Sequence, residues 1–154
     1  MFLQVVVVLI GIGSLALLLV EPQHEGRNVH STLFQVYFHD PFLAYAYTGS
    51  LAYFFALYQA FKLLEYVGRN EVFTQRSVKA LRTIKYCGMV LVGFLLGAEA
   101  YFFIVVRGTD DIAGGVMMGL VLIFVSTVVA TAAAVFERTL QSAVEMKSEN
   151  DLTV

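Results

Sequence analysis

The chain has no tryptophan, one cysteine, two prolines, and charges on only 14% of its 154 residues. Each scarcity excludes something. A single thiol, Cys87, makes neither an intrachain disulfide nor a multi-cysteine zinc or iron–sulfur site, and a buried apolar role suits it. Soluble domains carry about 25% charged residues, so neither a disordered chain nor a water-soluble core fits a composition that is 58% hydrophobic with a mean hydropathy of +0.75. The motifs of common catalytic centres are missing too: there is no HExxH, no GxSxG, no Walker loop and no pair of acids inside an apolar run. A net charge of −2 provides no basic field for direct contact with nucleic acid. No motif calls for a cofactor or a resident metal.

What is present is four long apolar runs, at residues 2–20, 42–61, 86–106 and 112–136. Each is long enough to cross a bilayer as a helix, for which about 20 apolar residues are needed. Glu99 is their only charge; the other 21 charges fall outside the runs. The predicted fold is therefore all-α: one integral membrane four-helix bundle with the lipid bilayer as its solvent. The first run lacks a basic flank and a small-x-small cleavage pattern before Glu21-Pro22, so it reads as a retained helix. Lys62, Arg69, Arg76, Lys79, Arg82 and Lys85 lie between the second and third runs, and Arg138 and Lys147 follow the fourth. Only Arg27 and Arg107 lie on the opposite side, so the positive-inside rule puts both termini in the cytoplasm of a multi-pass bacterial inner-membrane protein.

Asp40-Pro41 is an N-cap followed by proline at the first helical position, which starts the second helix there. Asp110 or Asp111 caps the fourth helix, and Thr74 caps the third. From Gln75 to Val106 the third helix would be about 48 Å long at 1.5 Å per residue, so it projects past the membrane. The fourth does the same if it continues to about Lys147. Gly93/Gly97 and Gly115/Gly119 are GxxxG pairs, and Ser126, Ala130 and Ala134 continue a small face that lets helices approach closely. Without tryptophan, the interfacial aromatic belt falls to Phe34, Tyr37, Phe38, Tyr45 and Tyr47.

Two stretches carry a family resemblance. One is Ala56-Leu57-Tyr58-Gln59-Ala60-Phe61-Lys62-Leu63-Leu64 together with Ser77-Val78-Lys79-Ala80-Leu81-Arg82-Thr83-Ile84-Lys85-Tyr86-Cys87. The other is the terminal Lys147-Ser148-Glu149-Asn150-Asp151-Leu152-Thr153-Val154. They resemble the small bacterial membrane-protein family catalogued as domain of unknown function 2975. The resemblance implies four membrane helices and a gene neighbour encoding a small helix-turn-helix regulator of the Cro type. It implies no catalytic residue.

Glu99 is the most informative single residue, because a carboxyl group inside a span is costly and faces a partner, a cavity or an ion path. It lies eight residues before Arg107, about 12 Å along a helix. At that depth Ser14 of the first span and Thr48 and Ser50 of the second can meet it. An interhelical hydrogen bond is the structural role for this group, and a ligand, ion or proton site is the functional one. His24, His30 and His39 stand near Glu21, Glu25 and Asp40, but their spacing matches no metal-ligand motif, and a solvated loop is expected. Counting equal distances from the turn near Asp110 pairs Arg82 with Glu137 and Arg76 with Glu145 along a cytoplasmic seam. The tail Leu152, Thr153 and Val154 ends in a free carboxylate with alternate apolar side chains, a shape that partner domains capture; a tail without a partner is the alternative.

These features point to a non-enzymatic inner-membrane protein that signals to, or sequesters, a cytoplasmic regulator. The rival is a small transporter or channel component using Glu99. Association with further copies of the chain is left open by the sequence. The topology is directly testable: in a Cys87→Ala background, a cysteine at Asn70 is expected to react with an impermeant reagent from the cytoplasmic side only. Labelling from the periplasmic side would reverse the assignment.

Overall fold

A backbone crossing lipid has no water to bond its N–H and C=O groups, and long apolar runs meet that demand as helices. The computed structural model describes residues 1–24, 41–108 and 111–153, and among these the chain is all helix and connecting turn, without a β-sheet. The helices are α1 (Phe2–His24), α2 (Pro41–Gly68), α3 (Gln75–Tyr101) and α4 (Ala113–Leu152). The last turn of the third helix, Phe102–Val106, is π-helical and closes with the Arg107 N–H bonded to the Phe102 carbonyl at 2.9 Å. The 32-residue rod expected from Gln75 to Val106 is present, but it finishes in this wider turn. α4 extends past Lys147 to Leu152, so Leu152 is helical and not part of an extended tail. Thr153 caps it, and Val154 lies outside the described residues.

Three of the helices are long and apolar enough to cross a membrane: Phe2–Val20 within α1, α3 with its π turn, and α4. α2 is less apolar because it carries five tyrosines in 28 residues, and the packing shows why they are there. The Tyr45 hydroxyl donates to the Phe94 carbonyl at 2.7 Å, the Tyr47 hydroxyl donates to the Leu18 carbonyl at 3.1 Å, and Tyr53 shares a 2.9 Å hydrogen bond with Ser14. Tyr45 and Tyr47 therefore bond into the bundle, where the sequence placed them in an interfacial belt. Phe34, Tyr37 and Phe38 lie outside the described residues.

The bond to Leu18 has a local cause. α1 does not stop at Val20 but continues through Pro22 to His24. Proline has no N–H, so the carbonyl four residues earlier, that of Leu18, loses its helical donor. Tyr47 supplies one. At the other end of α2 the chain stops in a Schellman motif, with Asn70 at φ 58°. The Glu71 N–H bonds the Tyr66 carbonyl at 2.8 Å and the Asn70 N–H bonds that of Val67 at 3.2 Å. Thr74 sits at the N-cap of α3, but its hydroxyl turns back to the Glu71 carbonyl at 2.8 Å and does not bond the helix. Asp111 takes the Ala113 N–H at 3.0 Å at the start of α4.

The helices pack in chain order, α3 against α4 most extensively, α2 on α3 next, and α1 on α2 least. The buried core follows the α3–α4 seam: Val78, Ala80, Leu81, Ile84 and Cys87 from α3, with Ala130 and Ala133 from α4. Gly88 allows the closest approach, since a Cβ there would lie 2.9 Å from that of Ala130 and 3.4 Å from the Ser126 carbonyl oxygen. The Gly115/Gly119 pair faces α3, Gly115 beneath the Phe102 ring and Gly119 beneath Glu99. Gly93 has open space around it, whereas Gly97 seats the Tyr45 hydroxyl. Leu9, Leu17, Leu51, Ile104 and Phe124 are largely exposed and form the surface offered to lipid.

Tyr47→Phe is expected to orphan the Leu18 carbonyl and destabilise the bundle by about 1–3 kcal/mol. Pro22→Ala restores the missing N–H, so the two substitutions together should recover most of that loss. Thermal unfolding of the four detergent-solubilised chains measures the cycle, and strictly additive effects would rule the coupling out.

Candidate functional site

α2 brings small and hydroxyl-bearing residues to the place where all four helices converge. Between them is a cleft of about 460 Å³, within the roughly 300–1,000 Å³ range of small-ligand sites. α1 contributes Ser14 and Leu18, α2 the stretch from Tyr45 to Phe54, α3 Leu91 to Ala98, and α4 Leu122, Val125 and Ser126. Gly49 and Gly97 shape its wall reciprocally. A Cβ at Gly49 would press the Phe94 ring at 3.1 Å, and one at Gly97 would meet the Tyr45 hydroxyl. The two rings they accommodate lie 4.9 Å apart between centroids.

Most of the cleft's polar groups are already satisfied. Ser14 and Tyr53 bond each other, and Ser50 bonds the Tyr47 carbonyl at 2.6 Å. Ser126 lines the cleft with no hydrogen bond among the described residues. The cleft therefore suits an apolar body carrying one hydrogen-bonding group.

The expected meeting of Glu99 with Ser14, Thr48 and Ser50 does not form. Thr48 is exposed and bonds the Ala44 carbonyl of its own helix at 2.9 Å. Glu99 turns the other way, toward α4, where one carboxyl oxygen lies against the face of Gly119. It is 7% exposed, and its Oε2 is buried without a hydrogen-bond partner among the described residues. A Cβ at 119 would overlap the carboxyl group in this position, so a larger residue there would have to displace the end of the Glu99 side chain. The π turn begins three residues later, and such turns are frequent at functional positions.

At the other end of the seam, one residue beyond the fourth predicted span, Glu137 is 8% exposed. Its Oε1 takes the Arg82 Nε at 2.7 Å and its Oε2 the Lys85 Nζ at 2.6 Å. Sequence reasoning paired Arg82 with Glu137 and missed Lys85, although Lys85 lies one turn along the same face. The Lys85 ammonium also stands 4.8 Å from the centroid of the Tyr86 ring. Its hydrogen bond and that of Arg82 hold the Glu137 carboxyl below the usual carboxylate range, and Glu137 in turn raises the Arg82 guanidinium. Arg76 and Glu145 do not pair. Glu145 accepts from Gln141 of its own helix at 2.8 Å, and Arg76 has no ion-pair partner among the described residues. Leu152 is exposed on the last helical turn, so the extended peptide shape expected of the tail is absent there. The loop with His30 and His39 lies outside the described residues.

The family model described as Protein of unknown function (DUF2975) matches residues 28–154. A relative described as "Uncharacterized membrane protein YoaS", from Bacillus subtilis (strain 168), is 41% identical over 156 residues, covering 99% of this chain and 96% of its own. No solved structure matches.

Because its pKa is depressed in the fold, Glu137 contributes stability at neutral pH, and the contribution fades as pH falls through and below the ordinary carboxylate range. Glu137→Gln is expected to melt below the wild type at neutral pH and to converge with it on acidification. A difference that persists unchanged into acid would deny the ion pairs their role.

Proposed function

The chain belongs to the DUF2975 family of membrane proteins, and from that premise we propose that it is a non-enzymatic bacterial inner-membrane protein that signals to, or sequesters, a cytoplasmic helix-turn-helix regulator. Both termini lie on the cytoplasmic side in this reading, in keeping with the excess of basic residues in 62–85 and after residue 136. The observation that carries it is the length of α4. Residues 137–152 continue as ordered helix beyond the last apolar run, a projection of about 24 Å at 1.5 Å per residue. Its base is fixed to α3 by Glu137, Arg82 and Lys85. Beyond that clamp Leu140, Gln141, Ala143 and Val144 are half-buried, and from Glu145 to Thr153 every residue is exposed, with Leu152 near the tip. Such a helix suits a protein that presents a surface to a partner more than one that encloses a reaction. The regulator as partner rests on the family resemblance in 56–64, 77–87 and the tail.

A second reading, a small transporter or channel component, is favoured by one observation, the unpartnered Oε2 of Glu99. Loss of cation or proton flux into vesicles on Glu99→Gln, with the fold intact, would select it.

For the first reading, the regulator encoded beside the gene is expected to cosediment with vesicles carrying the full chain. Deleting residues 147–154 should abolish cosedimentation while leaving the membrane bundle folded, because residues 147–153 are all exposed and none belongs to the buried core. A regulator that stays in the supernatant with the full chain would refute the reading.

A further inference from the structure

A second cavity, of about 450 Å³, runs as an open groove between α3 and α4, apart from the four-helix cleft. Met89 and Val92 form one wall, and Thr127, Ala130, Thr131 and Ala134 form the other. The two threonine hydroxyls make no demand on an occupant, because Thr127 bonds the Ile123 carbonyl and Thr131 the Thr127 carbonyl, each at 2.8 Å. The groove therefore accepts hydrocarbon and discriminates against polar guests.

Lys85 closes one end of the groove, and there the chemistry changes within one helical turn. The apolar runs 86–106 and 112–136 stop, and Arg82, Lys85, Glu137 and Arg138 follow. One carboxylate is already shared by two of the cations. Arg138 continues the face of Thr127, Thr131 and Ala134 at three- and four-residue spacing, is exposed, and has no ion-pair partner among the described residues. The groove end thus carries three positive charges against one negative.

We propose that this groove is a site for an anionic phospholipid, with one acyl chain lying over Ala130 and Ala134 and the headgroup phosphate against Arg138 and the Lys85–Arg82 pair. The order of chemistry along the seam, hydrocarbon first and cations immediately beyond, is that of a phospholipid entering from its leaflet. Basic pockets between membrane helices at the cytoplasmic border take such headgroups. A zwitterionic lipid lacks the net charge that the excess cations select. The site is independent of the partner reading, since it uses no residue beyond Arg138.

The test uses the full chain in phosphatidylcholine nanodiscs doped with dioleoylphosphatidylglycerol, with retained lipid counted by native mass spectrometry. The chain should keep one phosphatidylglycerol in preference to phosphatidylcholine. Arg138→Gln should lower that retention about fivefold, the worth of one surface cation near an anionic headgroup, and Arg138→Lys should preserve it. Thr131→Phe fills the groove from its exposed side without touching the buried seam, and should cause a comparable loss with melting unchanged. Equal retention of both lipids overturns the proposal, as does undiminished retention in either Arg138→Gln or Thr131→Phe. Displacement of phosphatidylglycerol by inorganic phosphate alone would overturn it too, because a free-anion site would then account for the binding without the groove.

Discussion

Inside a bilayer every polar group needs a partner within the protein, and the arrangement of α2 follows from that constraint. Its tyrosines reach outward to α1 and α3, bonding the Leu18 and Phe94 carbonyls and the Ser14 hydroxyl. The bond from Tyr47 to Leu18 is the clearest case. A proline near the end of α1 leaves a carbonyl free, and a residue 29 positions away fills the gap. Glycines at 49 and 97 make room for this arrangement, the first beside the Phe94 ring and the second beside the Tyr45 hydroxyl. The polarity that makes α2 the least membrane-like of the four helices is the same polarity that ties the first half of the chain to the second.

The α3–α4 seam works on a different principle. Here Gly88, Ala130 and Ala133 allow backbones to approach until dispersion contacts and interdigitated side chains hold them. Toward one end the seam admits a carboxyl group against Gly119, and toward the other it holds Glu137 between two cations. The two acids sit in opposite circumstances. Glu137 has its charge compensated by short hydrogen bonds at the polar border, whereas Glu99 has a carboxyl oxygen buried without a partner among the described residues.

Much of the architecture was legible because the signals are collective. Four apolar runs, the start of α2 at Pro41 and the unbroken stretch from Gln75 to Val106 each draw on many residues or on a rigid backbone rule; Asp40, the expected cap, lies outside the described residues. The antiparallel geometry around the turn near Asp110 was likewise enough to bring Arg82 to Glu137. Glu99 was misdirected because depth along a helix was legible while rotation about its axis was not. Its neighbour Ala98 faces the cleft with Ser14 and Ser50, and one residue of rotation turns Glu99 to Gly119 instead. Arg76 and Glu145 failed to pair for a related reason, as Gln141 lies one turn from Glu145 on the same helix and competes at lower entropic cost. The role of Tyr47 was hidden because Pro22 looked like the end of a helix, when it is a position inside one.

Because α1 touches mainly α2, and α2 mainly α3, the molecule is a row whose grip tightens from the N-terminus toward the last hairpin. Under a pulling force applied at Phe2 such a row does not burst as a unit. It peels: α1 leaves first, α2 follows when its tyrosine bonds give way, and the α3–α4 hairpin holds longest. The order of mechanical rupture would mirror the order of the chain, with the last-made hairpin as the anchor that remains in the membrane.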